Sequence, residues 1–270
     1  MQYLFTVLLP AALIVCAFRL GGVAWGLAAL GVYLVVAVYI KLPDLLMIRG
    51  SKVYNKDPKK GLRYMDKAFK TRRLRVEYIL YYAFVCMKAG EFERAEEILD
   101  TAAHKKMRPE TACRAAVNRA LLVWKKGDLP KAISILEEQL KQGKDKAVYG
   151  TLGQLLILNG QLQHALEINR DAYAFDKYDE SITDNLALNL RLCGDLDSSY
   201  NLYKELTNKR LGVPIPYYNC GETLYAMGKK EDAVEMMEKA LSYPFSKLAV
   251  VSRAEIEARI AEIEAEIKIN

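Results

Sequence analysis

The sequence predicts an all-α protein built in two parts: a hairpin of two transmembrane helices, then a solenoid of stacked helix pairs closed by a last helix. Three observations predict it. The first forty residues carry a single charge, Arg19. Cations crowd the segment that follows: residues 1–75 hold thirteen Lys/Arg against three Asp/Glu, while the remainder is acidic on balance. A small residue then recurs at Gly61, Ala95, Ala132, Ala165, Ser199 and Ala233, in steps of 34, 37, 33, 34 and 34 residues. A fixed period of that length is the mark of a repeat architecture.

The apolar start divides into YLFTVLLPAALIVCAF (3–18) and VAWGLAALGVYLVVAVYI (23–40), with only RLGG between them. At 1.5 Å per residue, an 18-residue helix reaches about 27 Å, close to the roughly 30 Å hydrocarbon core of a bilayer. Gly21 and Gly22 supply a turn and Arg19 a polar loop. A cleaved secretory signal is disfavoured: no Lys or Arg precedes the first run, and a second apolar run begins before any small-x-small cleavage site. One signal-anchor helix is the other reading of this stretch.

Lys41, Arg49, Lys52, Lys56, Lys59, Lys60, Arg63, Lys67, Lys70, Arg72, Arg73 and Arg75 follow the second run at short range. Such an excess marks the cytoplasmic flank, so two spans leave the N-terminus and the solenoid inside and only Arg19 outside. Five scattered cysteines, with no Cys-x-x-Cys pair, imply neither a disulfide framework nor a zinc site. The expectation is an integral protein of a bacterial cell membrane with a cytoplasmic body and a basic juxtamembrane segment near anionic lipid. Its divisions are an anchor over 1–42, a solenoid of about six units over 43–242, and a terminal helix within 243–270. The alternative places the repeats outside the cytoplasm on a signal anchor, assisting envelope assembly. Because the cations sit beside the apolar segment and not over the body, no nucleic-acid partner is expected.

Within the repeats, Ala83, Ala120, Gly153, Ala187 and Gly221 stand twelve residues before the aligned position, and only Arg49 breaks this second small set. Gly90, Gly127, Gly160, Gly194 and Gly228 stand five before it, and Tyr64, Ile98, Ile135, Ile168, Leu202 and Met236 three after it. Each unit is therefore two helices of about fourteen residues joined by a glycine turn, with small residues where the helices cross. One pair cannot bury its apolar face alone, so the pairs stack. The 37-residue step places its three extra residues in the loop around Arg108 and Pro109. The first unit, 42–69, is degenerate and runs directly out of the second apolar segment. After the last unit, Ile256, Ile260, Ile263 and Ile267 make an apolar seam in AEIEARIAEIEAEIKIN (254–270), which either caps the solenoid or pairs with a second copy.

These motifs resemble the tetratricopeptide repeat family over roughly residues 43–242. Its small first-helix residue, turn glycine, second-helix alanine and further alanine seven residues on all occur in register; its first-helix tryptophan is replaced by Ile79, Ala116, Tyr149, Thr183 and Tyr217. The resemblance implies a right-handed solenoid whose first helices line a concave groove that binds a protein or an extended peptide. At one matching groove position stand Tyr81, Asn118, Thr151, Asn185 and Asn219; beside them fall Arg114, Trp124, Arg191, Tyr218, Glu222 and Tyr225. The asparagines resemble a ladder that holds a peptide backbone, since an amide both donates and accepts; the bland reading is a polar helix face. Nothing points to catalysis. The two histidines are isolated, Cys86 and Cys220 fall on buried faces, and no phosphate loop, nucleophile elbow or His-Glu-x-x-His motif occurs. No enzyme activity, cofactor or metal is expected.

Overall fold

Five glycines in the left-handed region end five helices in the same way. The computed structural model describes residues 9–209 and 211–269, in thirteen helices and no strand; residues 3–8 of the first expected span lie outside them. By compactness the chain forms two units, one up to Ile79 and one from Leu80 onward.

In the first unit, α1 (Leu9–Tyr54) takes in the apolar sequence and leaves helical geometry only at Gly22, whose φ is 77° and ψ −174°. Glycine adopts that conformation without the cost a side chain would bring. The Phe18 ring lies against buried Gly26, where an added Cβ would stand 2.2 Å from the ring. Residues eight apart do not meet on a straight helix, so the chain on either side of Gly22 turns toward itself. The apolar side chains face outward: Leu13, Leu20, Val23, Trp25, Val32 and Val35 are all exposed. By length and composition this helix could cross a membrane.

No break falls at residue 42. The helix continues through Pro43 to Tyr54 and there packs on α2 (Pro58–Lys70), whose start is capped by Asp57 accepting from the Lys60 N–H at 2.9 Å. Their crossing is glycine on glycine. A Cβ on Gly61 would stand 2.5 Å from Tyr54 Cα, and one on Gly50 2.7 Å from Met65 Cγ. Gly50, one residue beyond Arg49, is thus the small residue of this pair. Arg49 points outward, its guanidinium 4.8 Å over the Tyr64 ring. Cations also gather near the end of the apolar run: Arg73 lies 3.6 Å over Tyr39 and donates to its carbonyl, and Arg75 pairs with Asp44 at 3.1 Å.

Most of α3 (Val76–Ala89) belongs to the second unit, with α4 (Phe92–Ala103), α5 (Pro109–Lys125), α6 (Leu129–Gln142), α7 (Lys146–Leu158), α8 (Leu162–Phe175), α9 (Glu180–Leu192), α10 (Leu196–Thr207), α11 (Ile215–Ala226), α12 (Lys230–Leu241) and α13 (Arg253–Ile269). Each of α3, α5, α7, α9 and α11 ends in a Schellman turn, its glycine at φ between 73° and 99°. At Gly194, for example, the Asp195 N–H donates to the Leu190 carbonyl at 2.9 Å and the Gly194 N–H to the Arg191 carbonyl at 3.0 Å. The aligned small residues Ala95, Ala132, Ala165, Ser199 and Ala233 are fully buried. The three extra residues of the 37-residue step do not lengthen a loop. Proline's fixed φ suits the first turn of a helix, so Pro109 starts α5 at once, and that helix runs 17 residues against 12 to 14 for the other first helices.

The apolar seam of α13 faces inward. Ile256, Ile260 and Ile263 are buried in one cluster with Tyr217, Cys220 and Leu224 of α11 and Ala233, Met237 and Ala240 of α12. Burying three isoleucines is worth about 1.5–3 kcal/mol each, enough to decide where this helix lies.

Candidate docking groove

The matching first-helix positions divide by what their side chains touch. Asn118, Asn185 and Asn219 are buried, at 6%, 4% and 4% exposure. Asn118 Nδ2 donates to the Leu80 carbonyl at 2.8 Å, Asn185 Nδ2 to the Gly150 carbonyl at 2.6 Å, and Asn219 Nδ2 to Asp184 Oδ1 at 3.1 Å. Every acceptor sits on the first helix of the preceding pair. One N–H of each amide is therefore used inside the solenoid, where it joins one first helix to the next. Thr151 at the same position is half-buried, and Tyr81 is 38% exposed.

The other expected groove residues fall into two sets. Glu222 and Tyr225 are held by α13: Arg259 Nε donates to Glu222 at 2.8 Å and stacks over the Tyr225 ring, while the Tyr225 hydroxyl donates to Glu266 at 2.9 Å. Lys230 adds an ion pair to Glu266 at 2.9 Å. Arg114, Trp124, Arg191 and Tyr218 remain. Arg114 is exposed; Trp124 is half-buried, with the Lys125 ammonium 4.0 Å over its ring. Arg191 is half-buried and its Nε atom is enclosed without a hydrogen-bond acceptor among the described residues.

Asp184 organises the interior beside Arg191. It accepts from the Tyr203 hydroxyl at 3.0 Å and from Asn219. Burial pushes its pKa up to about 6, against the pull of those two donors and of the Arg191 charge. Burial and the neighbouring carboxylate raise Tyr203 well above its ordinary range. A second polar pair, Asn169 donating to Asn189 at 3.1 Å, lies opposite Gly153, where a Cβ would come within 1.9 Å of Asn169 Oδ1. Sequence reasoning missed both groups. Their one signal is that Asn169 and Asn189 sit where the helical period calls for apolar residues.

Two buried thiols are held in their protonated form. Burial pushes Cys220 up to about 12 and raises Cys113 as well. Among the described residues no group of three His, Cys, Asp or Glu side chains could hold a metal.

A tetratricopeptide repeat protein from Parabacteroides merdae matches with a TM-score of 0.64 at 15% identity, over 94% of this chain and 98% of that one. The fold is that of a tetratricopeptide repeat solenoid. TTC0263, a thermophilic tetratricopeptide repeat protein of Thermus thermophilus, matches with a TM-score of 0.57 at 17% identity, over 71% of this chain and all of that one. The APC/C hetero-tetramer Cut9–Hcn1 matches with a TM-score of 0.60 at 16% identity, over 84% of this chain and 40% of that one. No protein-family model and no curated protein matches the sequence. On this tetratricopeptide repeat frame, α13 sits where a further first helix would stack.

Proposed function

We propose that this chain is a membrane-anchored docking scaffold. It holds a partner protein or extended peptide in the groove of its tetratricopeptide repeats at the cytoplasmic face, and acts by local concentration and orientation, without catalysis. Support for the anchor comes from the outward-facing apolar side chains of α1 and the cations that follow them. The α2 face bearing Lys60, Arg63, Lys67 and Lys70, the last ion-paired with Asp66 at 3.0 Å, lines an open depression of about 310 Å³ whose remaining positive charge suits anionic headgroups.

Arg191 carries the docking reading. A buried donor without an acceptor costs about 1–3 kcal/mol, and a partner carbonyl or carboxylate reaching Nε would supply what the fold does not. Tyr218 and exposed Tyr81 and Arg114 offer the aromatic and cationic contacts that interfaces favour. The test is photocrosslinking in intact membranes from position 81, with exposed Glu167 on the second-helix face as control, followed by mass spectrometry. A partner captured from position 81, and lost on Arg191→Ala, is the expected result. Equal capture from both positions would move docking away from the groove.

A further inference from the structure

The eleven residues between α12 and α13 reach far back along the solenoid. The Lys247 N–H donates to the carbonyl of Lys88, and the Lys125 ammonium donates to the carbonyl of Ala249, at 3.1 and 3.3 Å. Lys88 lies in the last turn of α3, where helix carbonyls lack intrahelical donors. Next to it stands Gly90 at φ 87°, whose absent Cβ leaves room for the Lys247 methylenes; a Cβ there would meet Lys247 Cγ at 3.2 Å. A turn closed by the Ala249 N–H donating to the Ser246 carbonyl at 3.1 Å presents the Lys247 donor and the Ala249 acceptor two residues apart. Burial lowers the pKa of Lys125, as expected of an ammonium covered by this segment.

The two ends of the segment are fixed independently. Tyr243 stacks on Tyr217 with ring centroids 5.1 Å apart, and Arg253 donates to the carbonyls of Leu241 and Tyr243 while its guanidinium lies 5.2 Å from the Phe245 ring. Between these anchors Phe245 and Val251 pack against the core of the last repeat, whereas the turn over 246–249 meets the ends of α3 and α5 through two hydrogen bonds and one alkyl contact; residues 245, 246 and 248–251 are only half-buried.

We propose that residues 243–252 are a releasable clasp occupying, in cis, a recognition site formed by the Lys88 carbonyl, Gly90 and Lys125. The ligand class of that site is a short peptide turn with an N–H donor and a carbonyl acceptor two residues apart and an alkyl side chain for Gly90. The clasp deepens the docking reading by giving the solenoid an internal competitor at the ends of α3 and α5, outside the Arg191 region.

The test uses the full chain in detergent and a fluorescent peptide of sequence YPFSKLAVVS, residues 243–252. Lys247→Pro removes the one N–H at the second position of the turn, where proline is favoured. Hydrogen exchange across 244–251 should quicken at least about tenfold, the share of one broken bond at roughly 1.4 kcal/mol per decade, with α6–α8 unchanged. The same variant should bind the peptide at least about tenfold more tightly than wild type. Lys125→Ala, which breaks the clasp and also damages the site, should quicken exchange without any gain in peptide binding. Unchanged exchange in Lys247→Pro, or faster exchange with no gain in peptide affinity, would overturn the proposal. Were Lys247→Pro to unfold, Lys125→Ala alone decides, since unchanged exchange there overturns the clasp too. Capture from position 81 through Arg191 is measured separately, so either idea can fail while the other stands.

Discussion

Asn185 Nδ2 stands 2.6 Å from the carbonyl oxygen of Gly150, a residue 35 positions earlier on the preceding first helix. Asn118 repeats the relationship with Leu80. Asn185→Ala should remove a buried bond between two first helices while the carbonyl keeps its helical donor, at about 0.5–1.5 kcal/mol of stability. The denaturant midpoint should fall with an unchanged m-value, and Asn118→Ala should behave alike. Wild-type midpoints for both would mean that these bonds do not join neighbouring pairs.

Asp184 should make stability depend on pH in an uncommon direction. Its folded-state pKa of about 6 lies above the ordinary 3.8, so the folded chain holds the proton more tightly than the unfolded one. Its contribution is greatest below the ordinary value and is lost as pH rises through about 6. At 1.36 kcal/mol per unit, the change approaches about 3 kcal/mol. Thermal unfolding of Asp184→Asn between pH 4 and 7 should show a flatter profile than wild type and a higher Tm at pH 7. Parallel profiles would rule the assignment out.

Gly153 has no room for a methyl group. Gly153→Ala should push against Asn169 and cost about 1–3 kcal/mol, while Gly153→Ala combined with Asn169→Ala should cost less than the sum of the two single changes. A double-mutant cycle measures that coupling, expected at about 0.5 kcal/mol or more between touching residues; additive losses would refute it.

Truncation after Ser252 should uncover the surface on which Ile256, Ile260 and Ile263 lie. A lower Tm and concentration-dependent association are expected. An unchanged melting curve would show that α13 contributes nothing to the fold.

On the proposed topology, a reporter active only in the cytosol should be active when fused after Asn270. An impermeant protease added to intact cells should spare the repeats. Digestion from outside would favour a signal-anchored body facing away from the cytoplasm.

The repeat and its turns were legible because they depend on local physics. A left-handed residue after a helix selects glycine, and close helix crossings select alanine, so Gly194 and Ala165 announce themselves. Gly50 was hidden by one residue of register: the pattern pointed to Arg49, and only the unbroken run of α1 shifts the crossing. The asparagines were found but their bonds inside the solenoid were not, because the Gly150 carbonyl is adjacent only once the pairs have stacked. The same holds for Lys247 and Lys88, which no spacing rule connects across the whole second unit. Pro109 misled in a simpler way, since a proline after basic residues reads equally as loop or as the start of a helix.

The uninterrupted run of α1 from its apolar residues into the pair with α2 sets a phase. Each residue advances the helix by about 100° and 1.5 Å. A single residue inserted between Leu42 and Met47 would therefore swing the Gly50 face, and α2 with it, about a quarter-turn or more around the apolar stem. Seven inserted residues would return it to within about 20° of its bearing, displaced by roughly 10 Å along the axis. The length of this stem keeps that bearing only when it changes by nearly whole turns, as about seven or eleven residues do, so the direction in which the first pair looks out from the apolar segment is encoded by counting.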